Sequence, residues 1–118
     1  MNCLDAVSQL SLITFPETFA KSARDLVTGE ISVRLGDTAF PDDHWNDFVV
    51  IMSWWLEELL KIVTRTAGSR VCRFMDGPYW FAIDVRHDDM LVVRCMDERG
   101  GAKCVLKVYA RVRMFCQL

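Results

Sequence analysis

Proline and glycine are scarce in this 118-residue chain, three and six residues respectively, and nowhere do they combine with serine into a linker. Internal repeats and low-complexity tracts are absent as well, so the sequence accommodates one domain and excludes a string of modules or a disordered chain. Long hydrophobic runs are missing too. The densest apolar stretch, 48–60, is broken by Ser53, Glu57 and Glu58 and falls short of the ~20 residues that a bilayer-spanning helix needs. Asp5 and Glu17 interrupt residues 1–20 and no basic segment precedes an apolar one there, so no cleaved export signal is expected and a cytoplasmic setting is. The five cysteines (Cys3, Cys72, Cys95, Cys104, Cys116) form an odd set with no Cys-x-x-Cys pair and no neighbouring histidine cluster. That pattern argues against a zinc site and a disulfide framework and predicts reduced, mostly buried thiols. Gly-rich phosphate loops, Gly-x-Ser-x-Gly and His-Glu-x-x-His are lacking, so no enzyme, cofactor or metal is expected.

What the chain does have is apolar residues, 52% of the total, and a charge balance that is uneven along its length. The net charge of -2 divides into a first half (1–60) with ten acidic and three basic residues and a second half (61–118) with six acidic and eleven basic ones. An acidic helical side and a more basic sheet side follow if the halves form different layers.

Residues 31–35 alternate Ile31, Val33 and Leu35 with Ser32 and Arg34, the period of a half-buried strand. Pro16 at the head of 16–27, with helix-like composition behind it, predicts a short N-terminal helix. Pro41, Asp42 and Asp43 predict the start of a long helix, since carboxylates there meet unpaired N–H groups and the positive end of the dipole. Gly68 ends it near residue 67. Four strands follow at 70–75, 79–86, 90–96 and 104–116, separated by short turn-forming segments at 76–78, 87–89 and 97–103, which favours hairpins in sequence order. Alternation points Tyr79, Phe81, Ile83, Val85, Leu91, Val93, Cys95, Leu106, Val108 and Ala110 inward. Trp80, Asp84, Val92, Arg94, Lys107, Tyr109 and Arg111 then point outward. The expected fold is α+β: an antiparallel sheet of about five strands, a meander, packed on one long Trp-rich helix, with a short N-terminal helix in addition.

A helical wheel from Asp43 places Asp47, Glu57, Glu58, Lys61 and Arg65 in one polar stripe within about 60°. Trp45, Phe48, Met52, Trp55, Leu56, Leu59, Ile62 and Val63 form the buried remainder. Val50 and Trp54 break the pattern by falling inside the charged stripe, at about -20° and +20°. Either residues 1–28 fold over them, or they meet another protein, because Trp among fixed charges is the composition of a binding hot spot.

Asp42, Asp43, His44 and Asp47 crowd the expected helix start, where capping explains the acids without metal or acid–base chemistry. His87, Asp88 and Asp89 suit a hairpin tip. The outward sheet face gathers Arg73, Arg86, Arg94, Lys107, Arg111 and Arg113 with Trp80 and Tyr109. The acidic overall balance and the lack of a Gly-aromatic strand motif weigh against nucleic acid as its partner.

A Gly-Glu-Ile-Ser-Val-Arg strand (29–34), the words Trp45-Asn46-Asp47-Phe48 and Trp55-Leu56 in a helix, a Phe74-Met75-Asp76-Gly77-Pro78-Tyr79 turn and a closing run of strands resemble the small α+β immunity proteins of bacterial polymorphic-toxin and contact-dependent inhibition systems. The resemblance implies a cytoplasmic antidote, monomer or homodimer, that binds one cognate toxin domain and occludes its active site, without nucleic acid, membrane or cofactor. Those proteins share no common binding residues. The wheel supplies the candidate surface, Asp43, Asp47, Val50, Trp54 and Glu57, whose acidity suits the basic cleft of a nuclease toxin. Two other readings stay open: a secretion chaperone or similar homodimeric binding module, and a small enzyme with its site near the helix N-terminus.

Overall fold

The computed structural model describes residues 7–8, 10–22, 24–64, 68–86 and 90–111. In chain order these form β1 (Val7–Ser8), β2 (Leu10–Lys21), β3 (Val27–Leu35), β4 (Thr38–Phe40), β5 (Asn46–Phe48), α1 (Ile51–Val63), β6 (Ser69–Arg73), β7 (Tyr79–Val85), β8 (Met90–Asp97) and β9 (Lys103–Arg111). One sheet has the order β1-β9-β8-β7-β6, with β1 parallel to β9, and the other joins β2, β3 and β4 with β5 also on β3. Most of the described chain is strand, so the expected single meander under a long helix is replaced by two largely antiparallel sheets and one 13-residue helix.

The expected hairpins of the C-terminal half do form: β6 to β9 pair antiparallel in sequence order. Phe81, Ile83, Leu91, Val93, Cys95 and Ala110 are buried in one core, with Tyr79, Val85, Leu106 and Val108 against it. The second sheet closes that core from the other side with Ile31, Val33 and Leu35, and α1 adds Ile51, Trp55 and Ile62. Trp55 is its largest contributor, edge-on to Phe74 and Phe81 at 4.8 and 5.2 Å between centroids, with its indole N–H donated to the Arg73 carbonyl at 2.8 Å. Burial of this kind is why truncation of a core Trp costs about 3–5 kcal/mol. On the outer face Ala82 and Val92 are buried as well, in register with Arg94 and Tyr109, whose long side chains flank them.

Segment 16–27 is not a helix. β2 runs through Pro16 to Lys21, paired with β3, and the register shifts between Phe15 and Ala20. Proline lacks a donor and is tolerated because β2 is an edge strand carrying a bulge. Thr18 fills the gap in the ladder: its hydroxyl donates to the Phe15 carbonyl at 2.6 Å and accepts the Glu30 N–H at 2.8 Å. Phe19 then crosses over Gly29, where any Cβ would overlap the ring.

Segment 41–50 is not helical either, which halves the expected length of the helix. After a cis Phe40–Pro41 bond the chain turns, with Asp42 Oδ1 accepting the His44 N–H at 2.8 Å, and Asn46–Phe48 pairs with Thr28–Glu30 of β3. Asp42, read as a helix cap, is spent on this turn, and α1 begins at Ile51 with no acid in its first turn and no side-chain cap. Trp45, expected on the helix, instead stands edge-on to Tyr79 at 5.0 Å and fills the space above Gly77, whose φ is +80°. Residues 65–67, the tip expected at 87–89, the strand end expected at 112–116 and Cys3 lie outside the described residues.

Candidate partner-docking surface

The outer face of α1 holds three of the five residues assigned to a docking surface. Val50 and Trp54 are each 45% exposed, one turn apart, and Glu57 is exposed on the next turn. Asp43 is exposed but stands in the turn before β5, off the helix. Asp47 is a correction: its residue surface is 1% exposed, and its carboxylate accepts the Trp45 indole N–H at 2.9 Å and the N–H groups of Phe48, Met75 and Asp76 at 2.7, 3.2 and 3.1 Å. It ties β5 to the 74–78 turn.

The acidic stripe therefore dissolves. Glu58 turns to Arg70 on β6, whose hydrogen bond is the main cause holding its carboxyl below the usual range, with Lys61 3.9 Å away. Glu57 and Asp43 are what remains of it.

In its place is an apolar patch. Leu26, Val27 and Met75, 44%, 37% and 50% exposed, join Val50 around a recess of about 330 Å³ floored by Phe48 and Val49. Asp25, at a positive φ of 63°, stands on its rim and turns the chain between β2 and β3. Leu56 and Leu60 are exposed further round the helix; the wheel had buried Leu56, because a helix starting at 41 and fully covered on one side leaves it inside. Met75, Leu26 and Val27 escaped sequence reading because they come from a turn and a strand start that only the fold brings to the end of α1.

His44, Cys72 and Cys95 stand apart from one another. His44 is exposed, its Nδ1 2.7 Å from Glu30 Oε1 and its ring 5.4 Å from that of Phe15. Cys72 and Cys95 are buried, which pushes both thiols up to about 12, far from the thiolate form at neutral pH. Among the described residues no three of His, Cys, Asp and Glu gather in the manner of a metal site, and no helix is long and apolar enough to cross a membrane. On the outer sheet face Arg94 pairs with Asp84 at 3.2 Å, while Arg73 pairs with Glu98 at 3.6 Å and lies over the Trp80 ring.

Comparison with known protein families, with characterised proteins and with solved structures finds no significant match to this chain.

Proposed function

We propose that this protein is an immunity protein that binds and neutralises a cognate toxin domain by covering its active site, and that it docks through the outer face of α1. The observation that carries the reading is Trp54, a large aromatic left 45% exposed one helical turn from Val50, which lines an apolar recess with Leu26, Val27 and Met75. Exposed apolar patches of this kind, rimmed by charge, mark protein contacts, and Trp is the residue type most enriched among their energetic centres. Glu57 on the helix and Asp25 at the recess supply an acidic rim that speeds encounter with a basic partner, with apolar contact providing the affinity. The partner class comes from the resemblance to immunity proteins. Of the segments that carry it, the strand at 29–34, Trp55-Leu56 in a helix, the turn at 74–79 and the closing run of strands keep their expected form, while 45–48 is β5. The enzyme reading draws no support from the scattered His44, Cys72 and Cys95.

The test is co-expression with the polypeptide encoded immediately upstream, scored by growth and then by titration calorimetry. The expected result is rescue by the parent chain and, for Trp54→Ala, binding weaker by about 2 kcal/mol or more with unchanged melting. Unchanged affinity in Trp54→Ala removes α1 from the interface, and toxicity without rescue removes the antidote reading.

A further inference from the structure

The opposite flank of α1 carries a second apolar surface, bounded by a strand edge. β2 is the outermost strand of its sheet, and its single pairing among the described residues is with β3. Sheet edges left open in this way template the addition of further strands, and proteins that stay monomeric blunt them with lysine, proline, bulges or shortness. The run Leu10–Phe15 has none of these devices: it is uncharged, precedes both Pro16 and the register shift, and leaves Leu12 51% exposed. Alongside it lies a groove of about 340 Å³, bordered by Leu10, Ser11 and Leu12 from the strand and by Met52, Leu56 and Leu59 from the helix. Leu56 and Leu60, 57% and 52% exposed, stand as a ridge next to that groove.

We propose that this surface is a homodimer interface in which β2 pairs antiparallel with β2 of a second copy, joining the two four-stranded sheets. A two-fold contact must be self-complementary, and this patch carries both the ridge and the groove that such a contact requires. An antiparallel pairing centred in Leu10–Phe15 sets no like charges opposite one another, because the run holds no charge. Among the described residues the other outermost strands are short, as β1, β4 and β5 are, or carry arginine, as β6 does at Arg70 and Arg73, so pairing through β2 closes at two. The Val50–Trp54 patch stays outside the contact and free for a different protein.

The test is mass by light scattering across a dilution series of the full chain. The parent should run at twice its 13.6 kDa and dissociate on dilution. Leu12→Lys and, separately, Leu56→Lys should each raise the dimer dissociation constant about tenfold or more, equivalent to about 1.4 kcal/mol, while leaving the melting of the monomer unchanged. Trp54→Ala should leave the dimer intact. A parent that is monomeric at all concentrations overturns the proposal and leaves an extended segment of another protein as the occupant of the edge, without touching the toxin reading. A dimer lost in Trp54→Ala but kept in both lysine variants overturns it as well and makes the Trp54 patch the self-contact.

Discussion

Replacing Asp47 with asparagine keeps the outline of the side chain and removes its charge, and the structure makes this a severe change. Oδ1 accepts the N–H groups of Phe48 and Met75, Oδ2 accepts the Trp45 indole N–H at 2.9 Å, and the Asp76 N–H is shared between Oδ2 at 3.1 Å and Oδ1 at 3.3 Å. The amide of asparagine has one acceptor oxygen. Placed at the Oδ1 position it preserves two bonds and turns an NH₂ group towards the indole and the Asp76 N–H, donor against donor. Hydrogen bonds to a charged acceptor contribute about 1.5–3 kcal/mol each, so losing one fully and one in part costs about 2–4 kcal/mol. That is a large share of the roughly 5–15 kcal/mol by which a domain of this size is stable. With about 3–6 °C lost per kcal/mol at this length, the melting temperature should fall by roughly 10–20 °C. Calorimetry or far-UV circular dichroism of Asp47→Asn measures it, and Asp47→Ala should lie lower still. A variant melting within a few degrees of the parent, yet bound more weakly by the partner, would refute this assignment and return Asp47 to the docking surface.

Gly29→Ala should destabilise the fold by about 1–3 kcal/mol, since the new Cβ lands on the Phe19 ring, and Phe19→Ala in the same chain should recover part of the loss; urea melts of the three variants decide it. His44 should titrate above its usual 6.5, chiefly because its ring hydrogen-bonds Glu30 and secondarily through the nearby charges of Glu30, Asp43 and Asp42. Its contribution to stability is therefore complete below about 6.5 and lost as pH rises through the folded-state value, and an NMR titration in which Glu30→Gln leaves the His44 midpoint in place would defeat the reasoning. Of Cys72, Cys95 and Cys104, iodoacetamide at neutral pH should label only the exposed Cys104 in the native protein, and mass spectrometry showing equal labelling of Cys72 would contradict its burial.

The β6–β9 half was legible because its signal is local. Period-two alternation sets which face each side chain takes, and turn-forming segments of three to seven residues leave antiparallel neighbours as the economical arrangement. The two failures, at 16–27 and 41–50, have a common physical origin. Proline and aspartate serve helix starts, bulged edge strands and turns alike, and the choice among these depends on partners distant in sequence. Pro16 sits in a strand because β3 offers a ladder to Leu10–Phe15 and Thr18 restores the broken bonds beyond it. Asp42 and Asp47 leave the helix because each finds backbone N–H groups outside it, in Asp47's case on Met75 and Asp76, nearly thirty residues away.

The same displacement changes what the candidate surface is made of. A helical wheel assigns angle from residue number, so it is valid only within the helix that exists; α1 spans Ile51–Val63, preceded by Val50 at its N-cap. Val50, Trp54 and Glu57 keep their mutual geometry for that reason, whereas Asp43 and Asp47, counted across a turn and a strand, had no place on the wheel. With Asp47 buried and Glu58 bound to Arg70, the exposed neighbours of Val50, one helical turn from Trp54, are apolar ones contributed by the start of β3 and the 74–78 turn. A surface read as charged with an aromatic intruder is thus an aromatic and aliphatic patch with a thin acidic rim. Rim charges act mainly on encounter rate and are screened by salt, while burial of Trp54, Val50 and Met75 acts on dissociation. Recognition through this face should therefore lie mostly in how slowly the partner leaves rather than in how fast it arrives.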